Sequence, residues 1–231
     1  MIIHTVSSYE EDLNFLTISV CEMGKLLLDI LEILHETIQN KDQLGFQQAQ
    51  TIDRTINELD AQIEGKAESL IVLRQPMSID LRQIISSLKA AVIIERMGDL
   101  AKNTVKRVTK TDDLYLTDVQ DDLDQILEIL KKMLSNALQA YNRFDEKLAL
   151  TVCIEDKKID ALYKLILTKL QNKITKQEAN IESILQAIFA IKNIERIGDY
   201  ISKIAQLVPY ITKGKKVTKH EIKQYDTKDF I

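Results

Sequence analysis

Glu95-Arg96-Met97-Gly98-Asp99 and Glu195-Arg196-Ile197-Gly198-Asp199 are one five-residue pattern, ERxGD, written twice at an offset of 100 residues. Each copy lies deep inside a stretch of helical periodicity. Each sets a Glu and an Asp at i and i+4, one turn apart on one helix face. A chain with such a pair at matching points of two halves is constrained towards a duplicated helical fold carrying two acidic sites.

Composition supports helix throughout. Pro76 and Pro209 are the two prolines, glycines number six, aromatics make up 5 % and Trp is absent. Few breakers and many straight-chain residues favour an all-α protein. A length of 231 residues allows one or two domains with a substantial core. The net charge of −4 argues against a nucleic-acid partner, which calls for a basic stripe. Only the segment 212–231 is locally basic, with six lysines against three acids, and it reads as a solvated tail. Cys21 and Cys153 fall within helical patterns and read as buried thiols. With no apolar leader and no apolar run of about 20 residues, the expectation is a cytoplasmic protein.

Six long helices are predicted, in two sets of three. The first runs from Tyr9 to Asn40 on a stripe of Leu13, Leu16, Val20, Leu27, Leu31 and Leu34, with Ser8 as its N-cap. The second runs from Phe46 to Arg74 and ends at Gln75-Pro76, because the residue before a proline is pushed out of the helical region. Ser78 is expected to cap the third, Ile79 to Val108. Thr117 or Asp118 is expected to cap the fourth, which reaches Arg143. The fifth ends near Ile174, and the sixth spans Gln177 to Pro209. The joint between halves is 109–117. The expected organisation is thus a first three-helix repeat over 1–111, a second over 112–211, and the basic tail 212–231.

With Leu88 at zero on a helical wheel, Leu81, Ile84 and Val92 fall within about 40° and Glu95 and Asp99 within about 20°. Both acids are therefore expected to continue a buried stripe, as are Glu195 and Asp199 in the second half. The second helix offers Asp53 and Asn57 at i and i+4, with Asp60 and Glu64 on the same strip. The fifth offers Asp156 and Asp160. Antiparallel packing would bring four oxygen-bearing side chains together at each site. Oxygen donors of this kind suit Mg, Ca, Mn or Fe, with Zn also accommodated. The competing reading is that Arg96 and Arg196 neutralise the acids as salt bridges, or that the bundle is purely structural. Gly98 and Gly198 weigh against salt bridges alone. Each costs its helix about 1 kcal/mol relative to Ala and is explained best by a close approach of another group.

Three segments then carry a resemblance: Gln75-Pro76-Met77-Ser78-Ile79-Asp80-Leu81-Arg82, Glu95-Arg96-Met97-Gly98-Asp99-Leu100-Ala101-Lys102-Asn103, and Ile194-Glu195-Arg196-Ile197-Gly198-Asp199. Together they resemble the PhoU family of phosphate-signalling regulators over nearly the whole chain. The resemblance implies two three-helix bundles related by a pseudo-two-fold axis. It also implies a metal site in each half, built from paired E/DxxxD motifs. By position the first is Asp53 with Asn57 and Glu95 with Asp99, and the second is Asp156 with Asp160 and Glu195 with Asp199. Arg96, Gly98, Asn103, Arg196 and Gly198 support them. Asn57 stands where the family pattern has an acid. Tyr200 and Lys203 stand in place of the usual His and Asn, and Lys203 is expected to oppose a cation at the second site as a tethered charge.

The function implied by this resemblance is regulation without catalysis. A cytoplasmic protein, dimeric, would restrain the phosphate-starvation response as an adaptor between a phosphate ABC transporter ATPase and a sensor histidine kinase, meeting the membrane only through these partners. The absence of a nucleophile–base pair or a phosphate-cradling glycine loop agrees with a docking module. The rival is a ferritin-like carboxylate-bridged metal oxidase. That class needs two Glu-x-x-His motifs, and this chain offers one, Glu32 with His35.

Overall fold

The computed structural model describes residues 2–40, 44–110, 119–175, 180–215 and 221–222. These residues form helices and no strand. Six of the helices are long: α1 (Ile2–Asn40), α2 (Gly45–Arg74), α3 (Ser78–Val108), α4 (Gln120–Arg143), α5 (Glu146–Thr175) and α6 (Ile181–Ala205). A short α7 (Leu207–Lys213) follows. Among the described residues none is long and apolar enough to cross a membrane.

Helices α1, α2 and α3 pack on one another, and α4, α5 and α6 repeat the arrangement. The two sets join through α3 on α6 and α1 on α4, so one continuous buried cluster runs through both. Its centre is aliphatic, with Leu16, Leu27, Leu34, Ile56, Ile94, Leu130 and Ile194 all at or near zero exposure. Two polar pairs sit within it. The Ser87 and Tyr141 hydroxyls lie 2.9 Å apart between α3 and α4. Gln83 Nε2 donates to Thr17 Oγ1 at 3.0 Å. Such pairing keeps buried polar atoms from opposing the fold.

The α2 C-terminus is fixed as the sequence implies, with Gln75 left-handed at φ 46° before Pro76. Phe144 ends α4 in the same conformation, and its backbone N–H donates to the Ala140 carbonyl. Three expectations are corrected. The first helix does not start after Ser8 but continues back to Ile2. Ser78 is not a cap: it is the first residue of α3, behind an extended Met77, and no side chain caps there. The sixth helix stops at Ala205, and Pro209 belongs to α7. Asn180 does cap α6, its Oδ1 accepting the Glu182 N–H at 3.1 Å. The expected joint beyond Lys110, the cap at Thr117 or Asp118, and most of the tail lie outside the described residues.

Cys153 is buried and its thiol is pushed up to about 12, first by burial and then by the Asp156 carboxylate. Cys21 is only half-buried, against the expectation.

Candidate metal centres

Both glycines of the repeated motif receive a carboxylate. A Cβ built on Gly98 would stand 3.2 Å from Asp53 Oδ1. One built on Gly198 would stand 3.2 Å from Asp156 Oδ1. The same approach thus occurs in each half, with α2 crossing α3 at Gly98 and α5 crossing α6 at Gly198. The missing side chain is what lets an aspartate lie on the neighbouring helix.

In the first half Asp53 is 4 % exposed, Glu95 half-buried, and Asp99 exposed. Asn57 and Asn103 are exposed too. The wheel centred on Leu88 misplaced the core face of α3. The residues that bury there are small as well as large: Ser87, Ala91, Gly98 and Ala101 beside Ile84 and Ile94. They centre about 100° away from Leu88, which leaves Glu95 at the edge and Asp99 beyond it. Val92, expected in the stripe, is 45 % exposed.

Lys102 fills the first cluster. Its Nζ donates to Asp53 Oδ2 at 2.5 Å and to Asp99 Oδ1 at 2.6 Å. Burial disfavours the Lys102 ammonium, yet these two bonds outweigh it and hold its pKa above the ordinary lysine value. Glu95 is raised above the usual carboxylate range, first by burial and then by Asp99, Asp60 and Asp53, with Arg96 opposing. Arg96 itself is exposed and turned to another groove, so it is not the salt-bridge partner of the competing reading.

The second cluster differs. The position equivalent to Lys102 is Ser202, which is 5 % exposed and whose Oγ is buried. Asp156 is pushed up to about 6, first by burial and then by Asp199, Asp160 and Glu195, while Ser202 pulls the other way. Asp160 and Asp199 are exposed, as is Arg196, and Glu195 is half-buried. Lys192 Nζ, at 2.6 and 2.7 Å from the Glu195 oxygens, pairs with that residue and acts on Asp199 only as a more distant charge. Lys203 does not oppose the cluster as expected. Its Nζ stacks 4.4 Å from the Tyr200 ring centre and lines the same groove as Arg96.

Among the described residues no three His, Cys, Asp or Glu side chains already converge to metal-ligand positions. The donor chemistry nevertheless separates the two clusters. The first already contains its cation, the Lys102 ammonium, and does not fit a metal as it stands. The second combines oxygen donors from two helices, an aspartate disfavoured as an anion and the buried Ser202 hydroxyl beside it. That set fits a hard cation that keeps part of its water shell. Sequence reasoning missed Lys102, Lys192 and Ser202 as members. Lys102 was readable, since it lies three residues after Asp99.

Two copies of the PhoU domain match this chain, at residues 20–108 and 123–208. The chain belongs to the PhoU family. A phosphate-specific transport system accessory protein PhoU homolog of Zymomonas mobilis is 34 % identical over 215 residues, covering 93 % of this chain and 90 % of that protein. A homolog with the same description from Rhizobium meliloti is 32 % identical over 212 residues, covering 91 % and 90 %. The fold is similar to crystallographic PhoU of Pseudomonas aeruginosa, with TM-score 0.82 and 30 % identity, covering 90 % of this chain and all of that one. It is also similar to the phosphate transport system regulatory protein PhoU of Streptococcus pneumoniae, with TM-score 0.84 and 25 % identity, covering 91 % and 99 %.

The PhoU relatives give no support to the oxidase alternative, and neither does the local geometry. Glu32 and His35 are occupied by a lysine: Lys131 Nζ lies 2.7 Å from Glu32 Oε2 and 3.1 Å from His35 Nδ1. His35 Nε2 meets Asp124 Oδ1 at 2.9 Å.

Proposed function

We propose that this protein is a cytoplasmic regulator of phosphate uptake and phosphate-starvation signalling. It acts as a dimer and as an adaptor, binding a phosphate ABC transporter ATPase and a sensor histidine kinase, and catalyses no reaction. The observation that carries this reading is the match of both repeats to the PhoU domain. The relatives' place in the phosphate-specific transport system supports the transporter partner. The extended helical faces supply docking surfaces.

We further propose that the second cluster holds a divalent or trivalent cation through Asp156, Asp160, Glu195 and Asp199. Bound there, the ion supplies positive charge that offsets mutual carboxylate repulsion and ties α5 to α6. Asp156 would come from α5 across Gly198, and Ser202 would donate to it. The first cluster, Asp53, Glu95 and Asp99, achieves the same tie with Lys102.

The test is genetic and chemical. The gene is deleted and a phosphate-starvation reporter is followed in phosphate-rich medium. Constitutive expression supports the regulator. An unchanged reporter, with metal-dependent oxygen consumption by the pure protein, would return the reading to an oxidase. Metal analysis of protein purified without tag or chelator tests the cation, and the Asp156→Asn/Asp199→Asn variant should lose it.

A further inference from the structure

On the side of α3 that faces away from α2, a groove of about 510 Å³ runs along the seam with α6 and α7. Leu88, Val92 and Leu207 form an apolar lining, with Tyr210 at one end. Three cations border it: Lys89, Arg96 and Lys203. Among the described residues no carboxylate lines it.

Elsewhere in the bundle lysines pair with acids, as Lys66 with Asp12, Lys169 with Asp122, and Lys131 with Glu32 and Glu128. Among the described residues none of the three groove cations belongs to an ion pair. Two rest on aromatic rings: Lys89 Nζ lies 5.0 Å from the Tyr210 ring centre and Lys203 Nζ 4.4 Å from that of Tyr200. Ring contacts restrain these ammonium groups without neutralising them. In a chain of net charge −4, this is a local concentration of uncompensated positive charge around an apolar floor.

We propose that this groove docks an acidic amphipathic helix of a partner protein. Lys89 and Arg96 are seven residues apart on α3, which is about 10.5 Å at the helical rise. A partner helix laid along the seam repeats that spacing with acids at i and i+7. Its apolar residues at i+3 and i+4 then face Leu88, Val92 and Leu207. Charge complementarity selects an acidic partner and rejects a basic one. The inference deepens the adaptor reading and rests on it, because it names the face and the chemistry of the docked segment.

The test is a displayed library of amphipathic helical peptides with a fixed apolar face and randomised charged positions. It is selected on the full-length protein and counter-selected on a Lys89→Glu/Lys203→Glu variant whose melting curve is checked. A milder Lys89→Gln/Lys203→Gln variant stands in if the first does not fold. Enrichment of acidic peptides with acids at i and i+7 is expected, and their affinity should fall at least tenfold in either variant and with rising salt. Enrichment of neutral or basic peptides, acidic peptides indifferent to the substitutions, or no enrichment would each overturn the proposal. The reporter experiment keeps the two readings apart. Acidic binders with an unchanged reporter leave the groove standing and remove phosphate control. A constitutive reporter without acidic binders removes the groove alone.

Discussion

Lys102 Nζ lies 2.5 Å from Asp53 Oδ2, across the point where α2 meets Gly98 of α3. One repeat later the backbone geometry recurs, with Asp156 against Gly198, but the residue in the place of Lys102 is Ser202. The two halves therefore solve the same electrostatic problem differently. A buried carboxylate needs a positive partner. The first half provides it as the Lys102 side chain, and the second leaves its aspartate raised to about 6 beside the Ser202 hydroxyl.

Removing the first half's cation should be costly. The Asp53 side chain is 6 % exposed and that of Lys102 is 17 % exposed, so Lys102→Met leaves a buried charge unpaired. A loss of about 2 kcal/mol is expected, below that for breaking a fully buried pair because Lys102 keeps some solvent contact, measured by chemical denaturation at pH 7. Lys102→Ser recreates the second half's arrangement and should add about one equivalent of bound Mn²⁺ in equilibrium dialysis. Unchanged stoichiometry would count against the lysine as a stand-in for a cation.

The reverse exchange is equally informative. Ser202→Lys places an ammonium beside Asp156 with the geometry that Lys102 already adopts in the first half. Metal-free protein should gain about 1 kcal/mol, a value for a partly solvated pair, and cation binding at the second cluster should disappear. A variant that still binds the ion would show that the site does not include the Asp156 face of α6.

The helices and the doubled motif were legible because large aliphatic residues and Pro76 mark them without tertiary information, whereas Pro209 misled because it lies inside α7. Gly98 and Gly198 were also read for what they are, points of close approach. The side-chain directions were not legible. The core face of α3 is built partly from Ser87, Ala91, Gly98 and Ala101, which a wheel weighted by Leu88 and Val92 undervalues. A rotation of that size moves Asp99 to the surface and Arg96 and Val92 to the far groove. Lys203 was misassigned for a related reason. A residue one turn beyond Asp199 can turn to either side, and the Tyr200 ring draws its ammonium away from the acids.

The two motif glycines should respond unequally to alanine. At Gly198 the new Cβ meets Asp156 Oδ1 and the packed Ile159 Cγ2, both at 3.2 Å. A β-branched core side chain cannot move aside easily, so Gly198→Ala is expected to lose about 1 kcal/mol net of the helix-propensity gain. At Gly98 the second contact is the terminal Ile56 Cδ1 at 3.4 Å, which yields by rotation. Gly98→Ala should lie within about 0.5 kcal/mol of the parent, as propensity and crowding offset each other. Thermal melts of the two variants side by side decide this, and equal losses would refute the distinction.

Asp156 gives a pH dependence with a definite sign. Its carboxyl titrates near 6 in the folded chain, against 3.8 as the ordinary value, because burial and three neighbouring acids disfavour the anion. Between these two pH values the folded state holds the proton more tightly than the unfolded state. Stability in the absence of metal therefore falls as pH rises from about 4 to about 6 and stays lower above that. Asp156→Asn removes this loss. At pH 7 and without metal the variant should be about 1 kcal/mol more stable than the parent, allowing for solvent screening of a partly exposed group. The difference should vanish below pH 4. A cation competes with the same proton, so the parent's affinity for Mn²⁺ should rise steeply through pH 6. Excess Mn²⁺ at pH 7 should also stabilise the parent and leave the variant unchanged. Denaturation series at pH 4, 5, 6 and 7, with and without Mn²⁺, measure all of these. A variant less stable than the parent at pH 7 without metal would mean that Asp156 is already paired and that the second cluster has no need of an ion.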